Sequence, residues 1–592
     1  MTTRPNPLFV GIERAPARAS MRATGLSTED LKKPMIGVAH SWIGTMPCNL
    51  NHRRLAQEVM AGVRAAGGTP IEINTIAISD VITMGTEGMR TSLVSREVIA
   101  DSIELVCRGH GLDGLVTLAG CDKTIPGAAL AHVRLDIPGA VIYSGTMMPG
   151  EHLGRDITLQ DVFEAVGSAT ATGCTDELDK LERAACPGIG ACAGHYTANT
   201  MAVVLEFLGL SPFGSMDPPA VDARKDTVCR QAGELVMRAV AEGLRPSRFL
   251  TPSSLRNAIA AGVATGGSTN MVLHLLAIAR EADIPLDIDE FDRISSVTPI
   301  IADLRPNGTF TAVDLDRAGG TRVIARHMVD AGLIAGDEST VTGRTVAHEA
   351  ADAAETPGQR VVTTVEAPLS PSGALLILRG NLAPDGSVVK APGAVTLRMT
   401  GTALVFNCEE EAMAAVQTGR VRPGHVVVIR YEGPRGGPGM REMLGVTSAL
   451  IGRGLGTSVG LVTDGRFSGA TRGLMVGHVA PEAAEGGPIA AVCDGDRITI
   501  DLQRRECSVD LDPGELAARM RDWSAPPPRY TIGVMAKYWS TVSSAAVGAV
   551  TTPHPTQGPA TASGKAEECQ QASAVEGVMA VGGGDVGAAG GS

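Results

Sequence analysis

The sequence predicts an α/β fold: a parallel-sheet α/β domain followed by a barrel-like β domain and a polar tail. Three observations lead to this prediction. The first half alternates short apolar runs with helical periodicity, the pattern of a mainly parallel sheet. From residue 361, short strands are evenly spaced between Gly and Pro turns, which favours a barrel-like fold. The length of 592 residues also exceeds what one hydrophobic core normally serves.

Apolar periodicity assigns the elements of the first half. Strands are predicted at 35–39, 71–78, 115–119 and 140–143. Helices are predicted at 53–66, 96–108, 197–208, 254–261 and 271–280. The last of these follows Gly266-Gly-Ser-Thr-Asn270, which is a suitable turn for a helix start.

The second half reads as strands at 374–379, 388–390, 403–406, 425–431, 457–463 and 497–501, with a closing helix at 533–547. The pattern loosens at 350–359, so we place the two domains at 1–355 and 360–551. Residues 552–592 are rich in Pro, Gly, Ala and Ser. This segment has little apolar surface to bury, so we predict that it is disordered.

Composition excludes several classes of protein. The net charge of −13 argues against nucleic-acid binding, because no basic field would offset phosphate repulsion. No apolar run is long enough to predict a membrane span. The 11 cysteines are widely spaced and odd in number, which favours a reducing compartment with free or metal-bound thiols. We therefore expect a cytoplasmic protein.

Three cysteines stand out because each lies in a turn marked by Gly or Pro. They are Cys48, Cys121 and Cys192, and they are too far apart in the sequence for a local metal knuckle. Only a folded domain could bring them together. Three thiolates that converge from separate loops suit an iron–sulfur cluster with one iron open to substrate.

Oxygen and nitrogen groups accompany these cysteines. Asp80 and the pair Asp122-Lys123 follow predicted strands, and carboxylates of this kind suit a hard divalent cation. Glu442, in the Gly-rich stretch 431–443, offers another carboxylate. The loops after parallel strands converge on one crevice, so we expect these groups to meet there. Ser468 also follows a predicted strand.

Each of these residues also has a simpler interpretation. A buried cysteine is more often a small apolar residue than a ligand, and an aspartate after a strand is often a turn residue or helix cap. Cys186 and the remaining cysteines are interpreted as structural, because no nearby His/Cys pair completes a zinc site. His195 is interpreted as a packing residue, or as one that supports a ligand residue, rather than as a ligand itself. Ser468 lacks the Gly-x-Ser-x-Gly pattern, so a hydrolase is not supported.

Five motifs in this order resemble the dihydroxy-acid/6-phosphogluconate dehydratase family, over roughly residues 7–550. They are Gly120-Cys-Asp-Lys-Thr-Ile-Pro-Gly127, Tyr196-Thr-Ala-Asn-Thr-Met201, Gly266-Gly-Ser-Thr-Asn270, Glu432-Gly-Pro-Arg-Gly-Gly-Pro-Gly-Met-Arg-Glu-Met443 and Thr463-Asp-Gly-Arg-Phe-Ser-Gly469. The resemblance implies an α/β domain followed by a β-barrel-like swivelling domain, with the site between them in a homodimer. The chain departs from the family pattern at Val81, where a glycine is common.

The resemblance also implies a role for each residue. Cys48, Cys121 and Cys192 would ligate a [2Fe–2S] cluster, with a [4Fe–4S] cluster as the alternative. Asp80, Asp122 and Glu442 would bind Mg²⁺, together with a carbamylated Lys123. Ser468 would be the catalytic base.

The implied activity is that of a hydro-lyase. It would dehydrate (R)-2,3-dihydroxy-3-methylbutanoate and (R)-2,3-dihydroxy-3-methylpentanoate to 2-keto acids in valine and isoleucine biosynthesis. One alternative is a dehydratase of sugar acids, whose extra hydroxyls need a more polar pocket. Another is a catalytically silent metal-binding paralogue.

Overall fold

A computed structural model describes residues 6–391, 397–469, 471 and 473–553. Apart from residues 552 and 553, the predicted disordered tail lies outside these ranges. Among the helices of the described ranges, none combines the length and the apolar character that crossing a membrane requires.

The first half forms a four-stranded parallel sheet in the order β2-β1-β3-β4. Three of its strands, β1, β3 and β4, are buried along their whole length, which explains their predominantly apolar sequences. A short antiparallel hairpin of β5 and β6 follows. The strands are β1 (Met35–His40), β2 (Thr69–Asn74), β3 (Gly114–Ala119), β4 (Gly139–Tyr143), β5 (Gly150–His152) and β6 (Arg155–Ile157).

Helices surround this sheet and supply most of the first hydrophobic core. Helices α2 and α9 pack together over the sheet, while α5 contacts β3, β4 and α4. The helices of this half are α1 (Ala15–Ala23), α2 (His52–Ala65), α3 (Asp80–Thr83), α4 (Arg90–His110), α5 (Thr124–Leu135), α6 (Leu159–Thr172), α7 (Asp176–Ala184), α8 (Thr197–Phe207), α9 (Ala223–Glu242), α10 (Pro252–Ala264), α11 (Asn270–Glu281), α12 (Asp289–Val297), α13 (Ala312–Ala318), α14 (Thr321–Asp330) and α15 (Val346–Ala351).

The second half forms an eight-stranded mixed sheet in the order β14-β13-β9-β10-β11-β12-β8-β7. A bridge between Arg379, which follows β7, and Glu506 in β14 joins its two edges, so the sheet is barrel-like, as predicted. The elements are β7 (Leu375–Leu378), β8 (Gly386–Lys390), β9 (Arg398–Phe406), α16 (Glu409–Gln417), β10 (His425–Ile429), α17 (Leu444–Gly452), β11 (Gly460–Thr463), β12 (Met475–Ala480), β13 (Arg497–Asp501), β14 (Glu506–Val509), α18 (Pro513–Asp522) and α19 (Gly533–Thr541).

The structure confirms the fold class and corrects several element boundaries. Strand β2 ends at Asn74 rather than at 78, because β1, its hydrogen-bonded neighbour, ends at His40. Helix α4 begins at Arg90, six residues before the predicted start. Strands β12 and β14 were not predicted. The predicted closing helix ends at Thr541 and is followed by a separate 3₁₀ turn at Ala545–Val547.

Candidate active site

The predicted residues of the first half lie at the carboxyl edge of the parallel sheet. Cys48 lies in a 3₁₀ turn after β1, and Asp80 begins α3 after β2. Cys121 lies two residues after the end of β3. Cys192 joins this edge because the preceding residue, Ala191, bridges Thr146 beyond β4. This placement agrees with the crevice expected at the ends of parallel strands.

The three cysteines meet in one cavity. The side chains of Cys48 and Cys121 hydrogen-bond to each other, and this contact, together with burial, raises the pKa of Cys48 well above its usual value. Burial also raises the pKa of Cys192, with the nearby Asp122 and Cys121 adding to the effect. Cys186, interpreted from the sequence as structural, lies in the wall of the same cavity.

Buried polar residues fix the loops that carry these thiols. Ser144 Oγ donates to the carbonyl of Cys48 at 3.1 Å, and Thr124 Oγ1 accepts from the amide of Cys121 at 2.9 Å. Asn199 donates to the carbonyl of Cys192 at 2.8 Å. Position 120 requires glycine, because a methyl group there would overlap the side chain of Ser144 and the carbonyl oxygen of Cys48.

A cluster of carboxylates lies beside the thiols. Asp80, Asp122 and Glu442 each place one oxygen within 4.8 Å of the others. Lys123 Nζ lies 2.7 Å from Asp80 Oδ2 and 3.5 Å from Glu442 Oε1. Burial raises the pKa of Asp122 to about 7 despite the charge of Lys123. Burial acts in the same direction on Asp80, but the charges of Lys123 and Arg466 outweigh it and lower the pKa of that carboxyl.

Glu442 and Ser468 reach this cluster from the second sheet. The loop after β10 carries Glu442, and the loop after β11 carries Ser468. Because β10 and β11 are parallel neighbours, their carboxyl ends lie side by side. An isolated backbone bridge between Glu442 and Arg466 joins the two loops. Ser468 lines the same cavity as the cysteines. All the predicted site residues therefore come together, in agreement with their placement after strands.

Two further side chains hold Glu442, and the sequence did not identify either of them. Asn270 Nδ2 donates to Glu442 Oε1 at 2.7 Å, and the buried guanidinium of Arg466 pairs with the same oxygen. Arg466 Nη2 also lies 3.7 Å from Asp80 Oδ2. The sequence could have pointed to Asn270 and Arg466 through the two motifs that contain them, Gly266-Gly-Ser-Thr-Asn270 and Thr463-Asp-Gly-Arg-Phe-Ser-Gly469. His195 is buried, and its ring Nε2 hydrogen-bonds to Thr265 Oγ1 at 2.9 Å.

The cavity has a volume of about 300 Å³ and a mixed lining. The thiols, the carboxylates of Asp80, Asp122 and Glu442, and Ser468 all contribute to it. Among the other described lining residues, apolar side chains predominate, including Val81, Ile82, Leu159, Phe163 and Leu444. The cavity can therefore hold a small molecule that carries both oxygen atoms and an alkyl group.

The donor sets fit the groups that the sequence predicts. Three thiols on separate loops face one space, which matches a sulfur-ligated cluster. Three clustered carboxylates are the hard oxygen ligands that a divalent cation takes. Burial, with a smaller contribution from the charges of Asp80 and Glu442, raises the pKa of Asp122, and a bound cation would favour the ionised carboxylate.

The fold and site define a dehydratase family. The N-terminal model of the dihydroxy-acid/6-phosphogluconate dehydratases matches residues 33–349, and the C-terminal model matches residues 360–549. The chain belongs to this family.

Curated relatives named dihydroxy-acid dehydratase match nearly the whole chain. The protein from Roseiflexus sp. (strain RS-1) is 58% identical over 91% of this chain and 97% of its own length. The Koribacter versatilis protein is 56% identical over 93% and 96%, and a Thermus thermophilus protein is 52% identical over 92% and 99%.

Proposed function

We propose that this protein is a dihydroxy-acid dehydratase, a hydro-lyase. Its proposed substrates are (R)-2,3-dihydroxy-3-methylbutanoate and (R)-2,3-dihydroxy-3-methylpentanoate, which lose water to give 2-keto acids for valine and isoleucine biosynthesis. The names of the relatives support the reaction class. We also propose that the protein works as a cytoplasmic homodimer, as the family resemblance implies.

One observation carries the choice of substrate: apart from the thiols, the carboxylates and Ser468, the described lining of the cavity is mostly apolar. A branched dihydroxy acid has its carboxylate and hydroxyls at one end and its methyl or ethyl groups at the other. A sugar acid carries hydroxyls along its length, and burying them against Leu159, Phe163 and Leu444 would leave them without partners. The apolar lining residues therefore favour the branched acid.

The proposed cofactors follow from the donor sets. Cys48, Cys121 and Cys192 would hold an iron–sulfur cluster, proposed as [2Fe–2S]. Asp80, Asp122 and Glu442 would hold Mg²⁺, with Lys123 as a fourth ligand once carbamylated. When bound, these groups supply Lewis acidity to the adjacent oxygens of the substrate.

The proton transfer from C2 is assigned to a residue of the chain. Ser468 Oγ, deprotonated, takes the C2 proton as general base. The electron pair of the C2–H bond forms the C2=C3 bond as the C3–O bond breaks, and the leaving hydroxide becomes water by taking up the proton that Ser468 received. The enol becomes the 2-keto acid when its O–H proton is lost and a proton is added to C3. No electron is transferred to or from the substrate.

A comparison of substrates tests the proposal. The holoenzyme, purified without oxygen, is assayed with 2,3-dihydroxy-3-methylbutanoate and with arabinonate, and 2-keto acid formation is measured. We expect a higher kcat/KM for the branched acid. A preference for arabinonate would replace the proposal with the sugar-acid alternative. Absence of visible iron–sulfur absorption together with absence of turnover would favour the silent paralogue.

A further inference from the structure

The first turn of α4 contacts the segment that carries Asp80. Ser92 Oγ donates to Asp80 Oδ1 at 2.7 Å, and both side chains are buried. The same Oγ accepts from Arg466 Nη2 at 3.4 Å. Because the guanidinium can only donate, the hydroxyl proton of Ser92 points to Asp80. Asp80 Oδ1 therefore accepts a hydrogen bond from Ser92, and Asp80 Oδ2 accepts one from Lys123 Nζ.

The same turn also contacts the loop that carries Glu442. Arg90 donates from its two terminal nitrogens to both carboxylate oxygens of Glu432, at 2.8 and 3.2 Å, and one of these nitrogens also donates to the carbonyl of Gly437. These side chains are fully buried. Gly439 lies so close to this turn that a methyl group on its Cα would overlap the carbonyl oxygen of Arg90. Its φ of +91° also favours glycine.

We propose that Ser92 and Arg90 are positioning residues, which hold the two halves of the metal site in the correct position relative to each other. This inference rests on the cation site of the proposed function. Asp80 comes from the first sheet and Glu442 from the second. One helical turn contacts both segments, through Ser92 on one side and Arg90 on the other.

The geometry explains why such positioning is needed. The oxygens of Asp80, Asp122 and Glu442 lie within 4.8 Å of one another. Carboxylates held so close repel each other, so fixed hydrogen bonds must hold each one in the orientation that a cation requires. Loss of such an outer contact typically weakens metal binding 10–100-fold. We expect an effect of that size here.

The test measures binding of Mn²⁺, which substitutes for Mg²⁺ and is visible by electron paramagnetic resonance, to the full-length protein freed of divalent cations. In Ser92→Ala the Mn²⁺ dissociation constant should rise about 10–100-fold. Ser92→Thr, which keeps the hydroxyl, should restore part of the affinity. Arg90→Lys should also weaken binding, because an ammonium cannot span both oxygens of Glu432.

Ser95→Ala is the matched control. Ser95 is buried in the same helix, but its hydroxyl donates only to the carbonyl of Ser92 among the described residues, so its loss should leave Mn²⁺ affinity unchanged. Folding of every variant is checked by circular dichroism. If folded Ser92→Ala or Arg90→Lys binds Mn²⁺ with wild-type affinity, the positioning role of that residue is overturned, while the proposed cation site is not affected. A wild-type protein that binds no Mn²⁺ would overturn the cation site and this inference with it.

Discussion

Replacing Glu432 with glutamine should destabilise the protein strongly, because this carboxylate balances two buried guanidinium groups. Its side chain is 0% exposed. Besides Arg90, it contacts Arg441, whose Nη2 lies 2.9 Å from Oε1. Breaking a buried ion pair from one side leaves an uncompensated charge in the interior, which typically costs about 3–5 kcal/mol.

The remaining contacts place the expected loss at the lower end of that range. Arg441 keeps Glu410, which lies 2.7 Å from Nη1, and Arg90 keeps Glu87 at 3.0 Å from Nε. We therefore expect a loss of about 3 kcal/mol in the free energy of unfolding. Urea denaturation of the full-length protein, followed by circular dichroism, measures it as a lower midpoint.

Glu410→Gln provides the matched control, because it removes a carboxylate from the same guanidinium of Arg441. The side chain of Glu410 is 55% exposed, so water and salt screen this pair and its loss should cost no more than about 1 kcal/mol. Raising the salt concentration should shrink the effect of Glu410→Gln and leave that of Glu432→Gln largely unchanged. Equal midpoint shifts for the two variants would refute the reasoning.

Three further predictions concern the proposed base, the cluster and a buried acid. Ser468→Ala should retain visible cluster absorption and lose turnover; full activity would rule out its role as base. Cys121→Ser should lose iron in a metal assay, and unchanged iron content would contradict its role as ligand. Burial raises the pKa of Glu482 from 4.5 to about 7. The folded state therefore holds this proton more tightly, and the stability it contributes is lost as pH rises from about 4.5 to about 7. Relative to wild type, Glu482→Gln should gain up to about 3 kcal/mol between pH 4.5 and pH 8, measured by urea denaturation, and a pH-independent difference would contradict this.

The strands that position the site could be predicted because their local signals are strong. Continuous apolar runs identified β1, β3 and β4, which are buried along their length. Turn residues after these strands then identified Cys48 and Cys121. Strand β12 was missed because Gly477 and His478 interrupt its apolar sequence, and β14 because only Cys507 and Val509 of its four residues are apolar.

The start of α4 could not be predicted, and this error concealed part of the site. Thr91, Ser92 and Ser95 have low helix propensity, so the local sequence does not indicate a helix there. In the folded protein, the ion pair of Arg90 with Glu432 and the hydrogen bond of Ser92 to Asp80 hold this turn in place. Both contacts join residues that are distant in the sequence.

The sequence by itself determined the candidate residues of the site, because thiols, carboxylates and turn glycines mark the loops that follow strands. Only the tertiary structure decided how those loops meet. The order of the strands places Cys48 beside Cys121, and the parallel pairing of β10 with β11 brings Glu442 beside Ser468. The contacts of Arg466, Asn270 and Ser92 with the carboxylates depend on the packing of the two sheets. Local propensity contains no information about such contacts, because each one joins segments that only folding brings together.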